Sequence, residues 1–182
     1  MKKYEFTGET KRVELWNRTA TLHRIKATVE FGFVKVGELG GWIEKEENLS
    51  HEGKAWVWGN AKVCGDAKVC GDAEVWGNAK VWGNAKVCGD AEVWGNAEVC
   101  GDAEVFLASH VLVMGSVGSR NDFTTFFRDK DNEITVKCGC FLGKIDKFLE
   151  KVTQTHGNNK YALVYRAAVE VAKLQIELTE RK

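Results

Sequence analysis

The middle of the chain repeats a six-residue motif without a gap. Between residues 55 and 102 the sequence reads A-x-V-x-G-[ND] eight times, so valine recurs at every sixth position from Val57 to Val99. A period of six does not match a helix face, but it matches three strand residues followed by a short turn. Strand alternation points the alanine and valine inward and the residue between them outward, and Gly-Asn or Gly-Asp supplies the turn. A fixed repeat of this kind predicts a solenoid.

A longer period sets the number of strands in each coil. Trp58, Trp76 and Trp94 are 18 residues apart, and so are Cys70 and Cys88. Eighteen is three hexads, whereas a two-sided or four-sided coil would give a period of 12 or 24. The sequence therefore predicts a triangular parallel β-helix in which like residues stack in adjacent coils. We expect the register to continue beyond the motif, through three further valines: Val105, Val111 and Val117.

The repeat resembles the hexapeptide-repeat, left-handed parallel β-helix family. That family places an aliphatic residue four positions before a small one, as Val57 and Ala61 do here, and the match covers residues 41–120. The resemblance implies a left-handed coil and a homotrimer, and many members are CoA-dependent acyltransferases. The entry segment GGWIEKEENLS at residues 40–50 and the GNAKVW style of repeat are more similar to uncharacterised hexapeptide-repeat proteins of phages and bacteria.

The flanking segments are not repetitive. Residues 1–40 contain alternating stretches and are predicted to form an N-terminal β cap over the first coil, followed by the β-helix at 41–120. Residues 121–182 are predicted to form a hairpin, with strands at 123–128 and 134–138, and two helices. Gly157 would end the first helix, and Asn158 or Asn159 would cap the second. The predicted fold is therefore mainly β.

The outward positions of the coils form columns of like residues. Stacked like charges are mildly destabilising, so a neighbouring subunit could supply the opposite charge; alternatively, the side chains splay into water. The tryptophan column is predicted to be a ladder covered by a flanking segment or a partner subunit, with a ligand platform as the alternative. The cysteines are expected to be free thiols. The expected outward residues are Trp56, Glu74, Glu92 and His110 on side one, Lys62, Lys80, Glu98 and Ser116 on side two, and Lys68, Lys86 and Glu104 on side three.

Composition restricts the partners and the compartment. Lys+Arg and Asp+Glu both number 26, so there is no basic excess and we expect no duplex nucleic acid as a partner. The sequence has no run of 18 apolar residues, and no apolar segment follows the first lysines, so neither a membrane span nor a secretory signal is expected. Six cysteines without such a signal favour reduced thiols in the cytoplasm.

The sequence favours no catalytic or metal site. Acyltransferases with this repeat use a histidine base near a loop that protrudes from the coils. Here His110 alone lies in the regular register, and no loop interrupts the eight hexads. Zinc enzymes of this fold need three convergent histidines, which the spacing does not provide, and Cys138 and Cys140 lack a second cysteine pair. No P-loop or dinucleotide motif is present. We expect neither cofactor nor metal, and keep His110 as the alternative catalytic base.

Two polar clusters near the last coil favour ligand binding. Arginine holds phosphate in a bidentate fork, hydroxyl groups can complete the shell, and the free amides at a helix start favour anions. If the last helix folds back, the two clusters converge on a small anionic, nucleotide-type ligand at a subunit boundary; the alternative is ordinary hairpin and capping chemistry. The candidate residues are Arg120, Asn121, Thr124, Thr125, Arg128, His156, Asn158, Lys160 and Tyr161.

The preferred function is therefore binding without catalysis. The resemblance to phage proteins implies an anti-defence role in which the chain sequesters a nucleotide-type signal of the host. The first alternative is a CoA-dependent acyltransferase, and the second is a structural or assembly protein.

Overall fold

The chain begins with an antiparallel hairpin that extends one side of the solenoid. The computed structural model describes residues 2–15 and 18–178. β1 (Tyr4–Glu14) pairs with β2 (Thr19–Ala27), and β2 pairs with β3 (Leu39–Ile43). β3 in turn pairs in parallel with the first strand of the repeat on its side, with Trp42 opposite Lys62. The alternating stretches predicted as strands before residue 40 are thus strands.

The repeat forms a parallel solenoid of about four turns. Strands pair every 18 residues in three sheets: side one contains β4, β7 and β10, side two contains β5, β8 and β11, and side three contains β6, β9 and β12. The predicted triangular coil is confirmed, whereas its left-handed sense stays a prediction. The strands are β4 (Trp56–Val57), β5 (Lys62–Val63), β6 (Lys68–Val69), β7 (Glu74–Val75), β8 (Lys80–Val81), β9 (Lys86–Asp90), β10 (Glu92–Val93), β11 (Glu98–Val99) and β12 (Glu104–Leu107).

Alanine and valine fill the bore of the solenoid, and both are buried in every repeat from Ala55 to Val105. Glycine makes the corners because the coils stack closely there. At Gly71, for example, φ is +69°, and an added Cβ would lie 2.8 Å from the backbone nitrogen of Gly89 in the next coil. A side chain at this corner would meet both backbone strain and the neighbouring coil.

The solenoid ends earlier than its valine register predicts. After Leu107 a short 3-10 turn leads into β13 (Val111–Val117), which pairs antiparallel with β14 (Asp122–Arg128). The expected continuation through Val111 and Val117 was wrong, and so was the outward position of Ser116 on side two. The physical reason is that Leu107 and Val113 occupy the slot where each earlier repeat has its corner glycine.

The C-terminal region is a four-stranded antiparallel sheet covered by two helices. The sheet order is β13-β14-β15-β16, with β15 at Ile134–Cys138 and β16 at Phe141–Lys144. α1 (Ile145–His156) and α2 (Lys160–Gln175) pack on it through a second apolar core that includes Phe126 and Phe148. The predicted hairpin and both helices are confirmed. No helix among the described residues is long and apolar enough to cross a membrane.

Both predicted helix-terminal residues act as expected. Gly157 lies at the C-terminus of α1 with φ +57°, and its N–H donates to the carbonyl of Thr153. The side-chain oxygen of Asn159 accepts hydrogen bonds from the N–H groups of Tyr161 and Ala162, at 2.9 and 3.2 Å. These caps fix the tight turn that folds α2 back along α1.

The corner columns differ from expectation in two respects. Cys70 and Cys88 form a disulfide between adjacent coils, with 4.5 Å between their Cα atoms, so the prediction of free thiols was wrong for this pair. The 18-residue stacking brings the two side chains within bonding distance. Trp76 and Trp94 stack with ring centroids 5.8 Å apart but are 41% and 50% exposed. No segment of the described chain buries these two rings, and cover by a partner subunit stays a prediction.

The first residue of side one is covered by the N-terminal region. Trp56 occupies an outward slot, yet it is completely buried because Phe31 and Tyr4 lie against it, with centroid distances of 5.4 and 6.2 Å. The other outward residues of side one, Glu74 and Glu92, remain at least partly exposed.

Candidate ligand-binding groove

Side two of the solenoid forms the floor of a groove. The strand alternation that buries Val63, Val81 and Val99 points the preceding residue of each repeat outward, so Lys62, Lys80 and Glu98 form one column. The C-terminal sheet stands against this column and encloses a groove of about 710 Å³. Its lining residues are Lys62, Asn78, Lys80, Asn96, Glu98, Arg120, Asp122, Phe123, Thr125, Lys137 and Gly139.

The groove continues towards the N-terminal hairpin as a smaller and more apolar pocket of about 330 Å³. The two cavities share Lys62, Lys80, Glu98, Lys137 and Gly139. The apolar pocket adds residues from the end of β1 and the residue after it, from the corners of the coils and from the β15–β16 turn: Val13, Glu14, Leu15, Cys64, Trp82 and Cys140. One continuous site thus has a polar end and an apolar end, an arrangement typical of small-molecule sites.

Glu98 forms ion pairs with two of the lysines in the groove. Its carboxylate lies 2.7 Å from Lys80 Nζ and 2.9 Å from Lys137 Nζ. Burial alone would raise the pKa of Glu98, but the hydrogen bonds from Lys80 and Lys137 outweigh it and lower that pKa. Glu98 is therefore ionised at neutral pH and offsets only part of the positive charge around it.

Lys62 supplies positive charge to the groove. Among the described residues it makes no ion pair, and its ammonium group donates to the carbonyl of Asn60 at 3.2 Å. Burial and the nearby charge of Lys80 lower its pKa. Lys11 adds to this field from β1, where its ammonium lies 3.9 Å from the ring centroid of Trp42 and burial lowers its pKa to about 8. An anion at Lys62 would relieve this repulsion between cations.

Arg120 forms the opposite wall without an ion pair to any described residue. Its guanidinium lies over Gly139, where an added Cβ would come within 3.1 Å of Arg120 Cζ. Gly139 has φ +55° and also accepts a hydrogen bond from Lys137 Nζ through its carbonyl. Glycine at this turn therefore gives the arginine the space it needs beside the groove.

Two of the nine residues predicted as ligand contacts line the groove. Arg120 is one, and Thr125 is the other: Thr125 is buried, and its hydroxyl accepts a hydrogen bond from the N–H of Glu98 at 3.0 Å. That bond joins β14 to the last coil beside the groove. Thr124 points elsewhere and donates to Cys138 Sγ, while Asn121 has φ +49° in the β13–β14 turn.

Arg128 lies at the far end of β14 and braces the hairpin. Its Nε donates to Asn132 Oδ1 at 3.0 Å and its Nη1 donates to the carbonyl of Glu104 at 3.2 Å. These bonds match the hairpin alternative that the sequence left open for this residue.

The end of α1 does lie against the β13–β14 turn. His156 Nε2 lies 3.3 Å from Ser119 Oγ, and its ring stacks on Tyr165 with a centroid distance of 5.8 Å. The remaining predicted contacts have local partners: Asn158 accepts a hydrogen bond from Arg166, and Lys160 lies over the ring of Tyr161. None of the α1–α2 residues lines the two cavities described above.

His110, the alternative catalytic base, is buried rather than outward on side one. His110 is the last residue of the 3-10 turn that follows β12, and its Nδ1 accepts a hydrogen bond from the N–H of Phe106 in β12 at 3.2 Å. Burial, aided by the charge of Arg128, lowers its pKa. The expected outward position was wrong because the coil register stops at Leu107.

Sequence reasoning missed most of the groove. Lys62, Lys80 and Glu98 were recognised only as a column of charge, and Lys137 and Trp82 were not singled out as ligand contacts. The 18-residue spacing did place Lys62, Lys80 and Glu98 on one side of the coil. Nothing in the sequence indicated that the C-terminal hairpin would pack next to that side.

Comparison with protein-family models finds none that matches this chain, and no curated protein matches its sequence. No group of three or more histidine, cysteine or acidic side chains among the described residues could hold a metal ion.

Proposed function

We propose that this chain is a hexapeptide-repeat binding protein whose side-two groove holds a small anionic ligand of nucleotide type. The observation that carries the proposal is an apolar pocket with Trp82 beside two cations, Lys62 and Arg120, that form no ion pair with any described residue. A ligand with phosphate at one end and a planar ring at the other matches both ends of this site.

Each end of the groove offers a specific interaction. The Arg120 guanidinium can form a bidentate pair with a phosphate, and the Lys62 ammonium adds a second charge-assisted hydrogen bond. A base placed against Trp82 would gain stacking, which contributes about 1–3 kcal/mol in aromatic sites. Val13 and Leu15 would exclude water from its edge. The lining residues named here all belong to one chain, and a contribution from a partner subunit at a subunit boundary stays a prediction.

The biological role follows from binding without turnover. In the setting that the resemblance implies, a phage-encoded copy lowers the free concentration of a nucleotide signal used in host defence. The buried position of His110, outside the residues that line the groove, does not favour the acyltransferase alternative.

Titration calorimetry of the full chain tests the proposal, with AMP, ADP and a cyclic dinucleotide as probes. We expect at least one probe to bind, and Lys62→Gln and Arg120→Gln each to weaken binding about tenfold or more, because a hydrogen bond to a charged group contributes about 1.5–3 kcal/mol. Lys68→Gln is the matched control, since Lys68 holds the same hexad position on side three and is exposed.

Two results would contradict the proposal. One is the absence of binding by all three probes and of any nucleotide retained by the purified protein, which would favour the structural alternative. The other is acetyl-CoA turnover that is lost in His110→Ala, which would favour the acyltransferase.

A further inference from the structure

α2 carries an unpartnered apolar row on the face that points away from the sheet. Val164, Val171 and Leu174 are 39%, 45% and 90% exposed, and Ala167 between them is also exposed. The opposite face of the same helix is already buried against the molecule through Ala162, Tyr165, Ala168, Val169 and Ala172. The exposed row is therefore not needed to hold α2 in place, and contiguous exposed apolar surface of this kind marks interaction sites.

The spacing of the row indicates what can cover it. Residues 164, 167, 171 and 174 follow steps of three, four and three, which is the a/d pattern of a coiled-coil seam. Leu178, just beyond the end of the helix and 41% exposed, continues the same steps. Such a narrow seam fits another helix with the same spacing, because each side chain then enters a gap between side chains of its partner.

Within the described chain only α2 offers this seam. The outer face of α1, the other helix, is charged, with Asp146, Lys147, Glu150 and Lys151 exposed. α2 of a second copy carries the same row with the same spacing and can supply the matching surface.

The charges at the two ends of the row favour an antiparallel arrangement. Lys160 at the start of α2 and Glu177 just past its end make no ion pair with any described residue. In an antiparallel pair Val164 faces Leu174 of the other copy, Ala167 faces Val171, and Lys160 comes close to Glu177. A parallel pair would instead place lysine beside lysine and glutamate beside glutamate, and it would align the two helix dipoles unfavourably.

We infer that two copies of this chain associate through α2 as an antiparallel, two-fold dimer. The contact is isologous, since the same residues contribute from both copies. This dimer is inferred in place of the homotrimer that the resemblance implies. The contact lies on α2 and not on side two of the solenoid, so each copy keeps its own groove.

Light scattering coupled to size exclusion gives the first test, on the full chain at tens of micromolar. We expect a dimer for the natural sequence and a monomer for Leu174→Glu, which alters a side chain that is already exposed and should leave the melting temperature of the monomer unchanged. Gln154→Glu on the exposed face of α1 adds the same charge elsewhere and should remain a dimer. A monomeric natural chain, or a Leu174→Glu variant that stays dimeric, overturns the inference.

Cysteine cross-linking tests the direction, on a background in which the exposed Cys140 is replaced by serine. Copies carrying Ala167→Cys are mixed with copies carrying Val171→Cys and oxidised. An antiparallel dimer gives cross-linked pairs with one copy of each kind. Cross-links between identical variants, in a parallel assembly of two or three copies, would overturn the inference.

Discussion

At the residue scale, the fold depends on which slot of the hexad a residue occupies. Valine in the third slot lines the bore, the second slot faces outward, and glycine makes the corner. Neighbours in sequence can therefore differ greatly in tolerance, and the pair Lys80 and Val81 illustrates this: one side chain is exposed and the other is completely buried.

Val81→Asp should prevent soluble folding. The new carboxylate would lie in a bore lined by alanine and valine without a partner, at a cost of several kcal/mol against a total stability of about 5–15 kcal/mol. Soluble yield and circular dichroism after purification measure the effect. Lys68→Asp introduces the same side chain at an exposed position, and a similar loss of soluble protein in both variants would contradict the slot assignment.

Gly83→Val should destabilise the chain more than Lys80→Ala does. At Gly83 φ is +75°, and a Cβ would lie 2.9 Å from the backbone nitrogen of Gly101, so valine adds strain of about 1–3 kcal/mol and a steric clash. Lys80→Ala removes a surface ion pair with Glu98, which typically contributes about 0–1 kcal/mol. Urea denaturation of both variants gives the comparison, and equal loss of stability would mean that the corners lie elsewhere.

At the element scale, the sequence predicts the elements that local periodicity determines. The strands of the repeat, the hairpin at 123–138 and both helices are present because their spacing and caps act over a few residues. The prediction was wrong for β13. Valine keeps its six-residue spacing there, but Leu107 and Val113 replace the corner glycine. This hexad lacks the positive-φ corner of the repeats before it, and the chain then pairs antiparallel in β13 and β14.

The groove could not be predicted in the same way, because it depends on how separate elements meet. The bond between Thr125 and the N–H of Glu98 joins residues that are 27 positions apart. Arg120 was predicted as a ligand contact from its chemistry alone. Lys62, which lines the same groove, belongs to a coil two turns before the one that contains Glu98.

Lys3, just before β1, forms a hydrogen bond to the solenoid, and its contribution to stability should depend on pH. Lys3 is buried, and its ammonium donates to the carbonyl of Ala55 at 2.7 Å. Burial lowers its pKa from 10.5 to about 8. Between those two values the unfolded chain binds the proton that the folded chain has released, so the contribution of Lys3 to stability rises as pH increases.

Comparison with Lys3→Met isolates this effect from other titrating groups. We expect the free energy of unfolding of the natural chain, relative to the variant, to increase by about 1–3 kcal/mol between pH 8 and pH 10.5. Denaturant titrations at several pH values provide the measurement. A difference that stays constant or decreases over this range would contradict the buried position of the amine.

At the scale of the whole molecule, the two ends of the solenoid create the site. The N-terminal hairpin extends side two at one end, and the C-terminal sheet stands against it at the other, so the lysine column lies between two walls. An uncovered solenoid would present only a flat charged face. The structures that protect the solenoid ends from further strand pairing thus also form the groove.

A crystal structure of the chain with ADP, the simplest probe that carries both a base and a diphosphate, tests the central claim most directly. The account predicts phosphate oxygens within hydrogen-bond distance of Lys62 and Arg120 and the adenine ring against Trp82. Electron density for the nucleotide at any other surface, with the side-two groove left to solvent, would contradict it.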